Sequence, residues 1–151
     1  MNRSKSFSLI ELLVVLTIIS LVIGLTTAYI FNFRKGSVLS LSAQEIVATL
    51  NQARSLSITK QDEYKVVFDI NNNKYVLRDP LDSYDVEPER SLKEGIIIES
   101  ISSSFVSGNV IFSSTGGLSG ASGSVVIKNN QDKRKTITII NSTGRIKVSN
   151  S

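Results

Sequence analysis

The sequence predicts an α+β fold in which one long amino-terminal helix, membrane-spanning in its first half and amphipathic in its second, packs on a mainly antiparallel β-sheet head. Three observations lead to this prediction. No charged residue occurs from Leu12 to Phe33, apolar residues recur at helical spacing from Leu39 to Ser57, and apolar and polar residues alternate beyond Lys60. A helix followed by several short strands is typical of α+β proteins.

The composition excludes most kinds of catalytic site. The 151-residue chain is 41% hydrophobic and 20% charged, which is typical of one globular domain, and it contains no histidine and no cysteine. Disulfides, Ser-His-Asp triads, Cys-His dyads and the usual nitrogen or thiolate ligands of a metal are therefore absent. We expect no catalytic residue, no metal and no cofactor, and a membrane-anchored enzyme is the least favoured class of function.

The first helix is predicted from the uncharged run of 20 residues from Leu12 to Phe31. At ~1.5 Å per residue, a helix of this length spans the ~30 Å hydrocarbon core of a bilayer. The run is longer than the apolar region of a secretory signal, and the basic pair Arg34-Lys35 follows it, so we predict a helix that stays attached. The alternative is a buried helix of a soluble protein.

Glu11 is the one charge within the apolar segment that begins at Phe7. A carboxylate in an apolar helix costs ~2.5–3.5 kcal/mol at the bilayer centre and less near a helix end. No basic residue lies three or four positions further along, so a partner is expected from a neighbouring molecule or from a newly made amino terminus. Alternatively, Glu11 marks the point where the helix enters the headgroups.

The basic leader 1–6 and the following sequence Phe-Ser-Leu-Ile-Glu-Leu-Leu-Val-Val-Leu resemble the processing site of type IV prepilins and type II secretion pseudopilins. The resemblance implies that a prepilin peptidase cuts between Ser6 and Phe7 and methylates the new amino terminus. It also implies that Glu11, the fifth mature residue, helps subunits enter the filament. The position before the cut is usually Gly in this family and is Ser6 here.

The same resemblance implies where the chain acts and with what. It makes residues 7–33 a transmembrane helix that becomes the filament core, in a single-pass protein of the bacterial inner membrane with its head outside the cytoplasm. The implied partners are the prepilin peptidase, other pilin or pseudopilin subunits, an inner-membrane assembly platform and the lipid bilayer.

Residues 34–59 are predicted to continue the helix in amphipathic form. The apolar stripe alternates steps of four and three residues and comprises Leu39, Ala43, Ile46, Leu50, Ala53 and Ser57. Polar residues lie between these positions, so we expect the stripe to pack on a sheet. The alternative is a coiled-coil seam, although the run covers under three heptads.

Residues 60–151 are predicted to form the β-rich head. Tyr64 to Phe68 and Tyr75 to Leu77 alternate on either side of an Asn-Asn-Asn turn, which indicates a hairpin. The other predicted strands are Ile96 to Ile101, Asn109 to Phe112, Ser124 to Lys128, Lys135 to Ile140 and Arg145 to Val148. These seven strands are expected to form one sheet that wraps the apolar face of the helix.

Three connections contain motifs. Asp79 to Glu89 holds five acids and is predicted to be an exposed connection, with a calcium site as the alternative, although the ligand order of an EF-hand is missing. Gly116 to Gly123 is predicted to be a flexible loop, because no Lys-Ser/Thr pair completes a phosphate cradle. Asn141-Ser142-Thr143 fits a glycosylation sequon.

The carboxyl-terminal part resembles the GspH/FimT-type minor pseudopilins. The residues that resemble this family are Val110 to Gly116, the glycine-rich loop, Val125 to Ile127, Thr136 to Ile140, and Ser-Thr-Gly-Arg-Ile-Lys at 142–147. The resemblance implies a structural subunit in or at the tip of a type II secretion pseudopilus or a type IV pilus.

Charge is divided unevenly along the head. Residues 60–99 hold 6 basic and 10 acidic residues, net −4, whereas residues 100–151 hold 6 basic residues and one acid, net +5. Some FimT-like pilins bind DNA during uptake through a Gly-Arg-x-Arg motif, which Gly144-Arg145-Ile146-Lys147 resembles. Strand alternation puts Arg145 and Lys147 on one face, where phosphates could reach them. The candidate DNA-binding residues are Arg145, Lys147, Lys133, Arg134 and Lys135; the alternative is a face charged for solubility and edge protection.

Overall fold

The computed structural model of the chain describes residues 8–79, 81 and 84–150, without the side chains of residues 25–36 and of Val106. The chain divides into two compact units, residues 1–35 and 36–151. The predicted processing site, Ser6 and Phe7, lies outside the described residues. The eleven-residue connection from Asp79 to Glu89 is described except at three positions.

Helix α1 extends from Leu9 to Lys60. Ser8 precedes it, and the carbonyl oxygen of Ser8 accepts the first hydrogen bonds of the helix, at 3.1 Å from the amide of Glu11 and 3.2 Å from that of Leu12. The helix ends where Gln61 adopts a positive φ of 56° and the amide of Asp62 donates to the carbonyl of Ser57. A left-handed residue after the last turn is a common way to satisfy the last carbonyls of a helix.

The second unit contains eight strands in two antiparallel sheets. The first sheet has the order β3-β2-β1-β5, and the second has the order β4-β6-β7-β8. The strands are β1 Tyr64–Asp69, β2 Lys74–Arg78, β3 Arg90–Ser91, β4 Ile96–Ile101, β5 Asn109–Phe112, β6 Gly123–Asn129, β7 Arg134–Ile139 and β8 Ile146–Asn150, with a 3₁₀ turn at Val106–Gly108.

The α+β fold with its antiparallel pairing is confirmed, but the prediction of one seven-stranded sheet was wrong. At ~4.8 Å between strands, eight strands in one sheet would be roughly 34 Å wide, whereas a helix is only about 10–12 Å in diameter. Two sheets of four strands let more of the strands reach the helix. The missed strand, β3, has two residues, which is too short to show a period of two.

The core of the second unit joins the amphipathic stripe of α1 to both sheets. Each of the six residues predicted for the stripe is buried. The core residues with no exposed surface are Ile46, Leu50 and Ala53 on α1, Val66, Val110 and Phe112 in the first sheet, and Val125, Ile127, Ile137 and Ile139 in the second.

The first half of the glycine-rich loop, residues 116–119, is held by packing and hydrogen bonds, whereas the flexibility of the loop stays a prediction. Leu118 is buried and forms a bridge with Phe112, and the amide of Ser119 donates to the carbonyl of Ile111 at 2.8 Å. Gly116 has a φ of +82° and packs closely on Ile58. A Cβ added at Gly116 would lie 2.6 Å from Cδ1 of Ile58. The loop therefore extends the first sheet beyond β5.

Candidate functional site

Glu11 lies in the first turn of α1, among exposed apolar side chains. Its position suits a carboxylate, because the amino-terminal end of a helix carries a partial positive charge. Among the described residues Glu11 forms no ion pair. A partner for this carboxylate outside the described residues stays a prediction.

The helix around Glu11 is apolar on all sides. Every large apolar side chain from Leu9 to Ile23 is at least 45% exposed, and these positions occupy all faces of a helix. The hydroxyls of Thr17 and Ser20 donate to the carbonyls of Leu13 and Leu16, at 2.7 and 2.8 Å. These two polar side chains thus need no water, and the surface requires lipid or other helices to cover it.

The predicted membrane helix comprises residues 7–33, and the structure describes its side chains from Ser8 to Gly24. Within the part of the chain that is described, no helix is both long enough and apolar enough to cross a membrane.

Arg145 lies immediately before the edge strand β8 and Lys147 is its second residue, and both are exposed. In the ladder between β7 and β8, Lys147 lies opposite Thr138, while Ile146 and Val148 lie opposite the buried residues Ile139 and Ile137. This alternation confirms that Lys147 is on the outer face of the second sheet. Neither basic residue forms an ion pair with a described residue.

Arg134 is not a free cation. Its Nε and Nη2 atoms donate to the two carboxylate oxygens of Glu99 at 2.7 and 2.9 Å, and Lys128 Nζ lies 3.3 Å from the same carboxylate. The hydrogen bonds from Arg134, then those from Lys128, lower the pKa of Glu99 to about 2. The sequence did not indicate Glu99 as the partner of Arg134, because the two residues are 35 positions apart.

Lys133 and Lys135 lie at the other end of the second sheet from Arg145. Lys133 is exposed in the turn between β6 and β7, and Lys135 Nζ donates to Asn150 Oδ1 at 3.0 Å. Strand β7 separates the two ends, and at ~3.3 Å per residue its six residues span about 20 Å. The structure thus brings Arg145 and Lys147 together but does not bring Lys133 to them.

Gly144 fixes the turn before β8. Its φ is +59°, and a Cβ at this position would overlap the carbonyl oxygen of Gly116, which accepts a hydrogen bond from Arg54 Nε at 3.0 Å. A residue with a side chain would have to displace both groups. The glycine of the Gly-Arg motif therefore has a packing role, which the motif alone does not reveal.

The acidic connection is held by separate ion pairs. Asp85 pairs with Arg78 at 2.8 Å, Glu89 with Lys74 at 2.7 Å, and Glu87 with Arg90 at 2.6 Å. Among the described residues, no three acidic side chains converge as they would around a cation. A calcium site at this connection thus gains no support from its described part.

Comparisons with known families match both ends of the chain. Residues 1–27 match the model of the prokaryotic N-terminal methylation motif. Residues 42–144, more than half of the chain, match the model of the type II transport protein GspH. No curated protein sequence matches the chain.

Solved structures with the same fold include a minor pseudopilin and a minor pilin. The minor pseudopilin EpsH from the type 2 secretion system of Vibrio cholerae aligns with a TM-score of 0.60 at 15% identity, over 74% of this chain and 96% of that one. The type IV minor pilin FimU of Pseudomonas aeruginosa aligns with a TM-score of 0.64 at 17% identity, over 78% and 92%. At these identities the similarity establishes the fold.

Proposed function

The chain is a pilin-like member of the GspH family of type II transport proteins, and from this premise we propose that it is a minor pseudopilin or minor pilin that is assembled into a filament. Prepilin peptidase removes residues 1–6 and methylates Phe7, which agrees with the match to the methylation motif. The subunit then waits in the bacterial inner membrane with its head outside the cytoplasm. It enters the filament, or its tip, with other pilin subunits on an inner-membrane assembly platform.

The apolar surface from Leu9 to Ile23 is the observation that best supports this proposal. It needs lipid before assembly and other helices afterwards, and the Thr17 and Ser20 hydroxyls are satisfied in either environment. Glu11 favours one position of the subunit in the filament, because an ionised carboxylate in apolar surroundings is stabilised most where it meets a cationic partner. Cleavage before Phe7 supplies such a cation, the new amino terminus of a neighbouring subunit.

The test replaces Glu11 and measures insertion and assembly separately. Glu11→Ala removes the carboxylate, whereas the control Glu11→Asp shortens the side chain and keeps the charge. We expect all three proteins in the membrane fraction and a loss of Glu11→Ala, but not of Glu11→Asp, from sheared filaments. Failure of Glu11→Ala to reach the membrane would refute a role in assembly, and equal recovery of both variants in filaments would do so too.

Mass spectrometry of the mature protein tests the processing step. The proposal requires a chain that begins at methylated Phe7. A chain that retains Ser6 and the leader would contradict it, whatever the result with Glu11.

A second candidate function is DNA binding during uptake, without sequence preference. It is supported by the exposure of Arg145 and Lys147 and by the net +5 of residues 100–151. Two phosphate contacts would lower the slope of log affinity against log salt by ~1.8 when both residues are replaced by Ala. Lys74→Ala, on the acidic half and paired with Glu89, is the matched control. If the full chain in mild detergent shows no salt-sensitive binding of labelled duplex DNA at low ionic strength, the candidate is refuted.

A further inference from the structure

Three of the four sheet edges in the described head are closed to further strands. At the edge of β4, the side chain of Asn73 accepts a hydrogen bond from the amide of Ile98 at 2.9 Å, and a bulge follows between Ile98 and Ser100. At the edge of β5, the segment 117–119 forms hydrogen bonds to the strand. The third edge, β3, has two residues, and Pro88 just before it cannot donate a hydrogen bond. These are the features by which proteins protect sheet edges.

The fourth edge, strand β8, is open. The amide of Ile140 donates to the carbonyl of Arg145 at 3.0 Å, and the ladder continues in the same register along β7 and β8. Because hydrogen-bonded pairs alternate in an antiparallel ladder, the backbone groups of Lys147 and Ser149 face β7. The backbone groups of Ile146, Val148 and Asn150 therefore point away from the sheet, and no described residue forms a hydrogen bond to them.

We propose that β8 receives an additional strand from a partner protein, and that this strand alternates apolar and acidic side chains. The backbone groups of Ile146, Val148 and Asn150 would pair with its main chain. On the inner face its apolar side chains would lie beside Ile146, which is half-buried, and Val148, which is 43% exposed. On the outer face an acidic side chain would lie opposite Lys147, where opposite charges stabilise a cross-strand pair.

Charge identifies the partner as a different acidic segment. Two copies joined through β8 would bring their Lys147 side chains near each other, and like charges across strands are destabilising. The acidic stretch of this chain is unsuitable as the added strand, because Asp85, Glu87 and Glu89 already form ion pairs. In addition, Pro88 has no backbone N–H and so breaks the row of hydrogen-bond donors along this segment. The inference rests on the proposed function in one respect, since the natural partner would be another filament subunit.

Amide exchange measured by NMR tests strand addition without any filament. The full chain, labelled with ¹⁵N and held in mild detergent, is mixed with a short capped peptide of alternating Val and Glu, and separately with the matching Val and Lys peptide. With peptide at ~10 times its Kd, the outward amides of Ile146, Val148 and Asn150 should exchange about tenfold more slowly. The amides of Lys147 and Ser149, which already bond to β7, should not change, and the Val and Lys peptide should have no effect.

Two variants separate backbone pairing from side-chain contact. Val148→Pro removes an outward donor and leaves the bonds to β7 intact, so it should keep its fold and lose the peptide's protection of Ile146. Val148→Ala keeps the donor and should retain the protection, which controls for the lost side chain.

The proposal is overturned if the Val and Glu peptide gives no alternating protection in the wild-type chain. It is equally overturned if both peptides protect alike, or if the chain alone at high concentration protects these amides by pairing with itself. Failure here leaves assembly through Glu11 untouched, because the assay contains no filament. Binding of DNA would shift the signals of Arg145 and Lys147 without this alternating protection.

Discussion

Replacing Gly144 by Ala tests whether the turn before β8 is fixed by close packing. Gly144 has a φ of +59°, a region that costs an L-residue about 1 kcal/mol. The added Cβ would also displace the carbonyl of Gly116 and break its hydrogen bond with Arg54, and loss of a hydrogen bond to a charged group costs roughly 1.5–3 kcal/mol. We expect the free energy of unfolding to fall by about 2.5–4 kcal/mol.

Gly108→Ala is the matched control. Gly108 also has a positive φ, of 74°, but no atom lies within 4 Å of the place where its Cβ would be. The control therefore carries only the conformational cost of about 1 kcal/mol. For a domain of this size each kcal/mol lowers the melting temperature by roughly 4 °C, so we expect falls of about 10–16 °C for Gly144→Ala and about 4 °C for Gly108→Ala.

The assay is thermal unfolding of the full chain in mild detergent, followed by near-ultraviolet circular dichroism. Tyr64 and Tyr75 are buried in the head, so this signal reports the packing of the second unit and not the helical content. Equal melting temperatures for Gly144→Ala and Gly108→Ala would refute the reasoning, because the contact with Gly116 would then contribute nothing.

The remaining predictions concern the core, the pH dependence and the division of the chain. Leu50→Ala should cost roughly 2–5 kcal/mol in urea unfolding and Leu41→Ala under about 1, because Leu50 is fully buried and Leu41 is 48% exposed; similar costs would contradict the described core. Folding lowers the pKa of Glu99 from 4.5 to about 2, so its contribution to stability is full above pH 4.5 and is lost as the pH falls towards 2; Glu99→Gln should lack this part of the acid transition, and an unchanged transition would contradict the pairing. A chain that starts at Arg34 should fold alone and give the near-ultraviolet spectrum of the full chain, and a failure to fold would contradict the division into anchor and head.

Strands with a short run of apolar residues could be predicted from the sequence. The strand predicted at Asn109 to Phe112 has the bounds of β5, and the strand predicted at Ile96 to Ile101 has those of β4. Both contain a short run of apolar, mostly β-branched residues, which indicates a strand, and the structure buries alternate positions of each run. Which strands pair in which sheet depends on contacts between distant residues, and no local pattern contains that information.

The candidate site was predictable only where it depends on alternation. Lys147 lies on the outer face because its neighbours Ile146 and Val148 face inward, and the alternation of apolar and basic residues in the sequence predicts this. Arg134, in contrast, is paired with Glu99. This pairing depends on the register of β4 with β6 and of β6 with β7, which brings Glu99 beside Arg134. Likewise, the packing role of Gly144 depends on Arg54 and Gly116, which are remote in sequence.

The turn at Gly144 links both proposed surfaces of β8 to helix α1. The amide of Gly144 donates to the carbonyl of Ile140 at 2.9 Å, and this turn sets the register of β8 against β7. A slip of one residue would move Lys147 to the inner face and present different backbone groups at the edge. Gly144→Ala should therefore weaken DNA binding and strand addition together. Single changes should separate them: Arg145→Ala removes a phosphate contact and leaves both Lys147 and the outward donors of β8, whereas Val148→Pro removes a donor and leaves the charge.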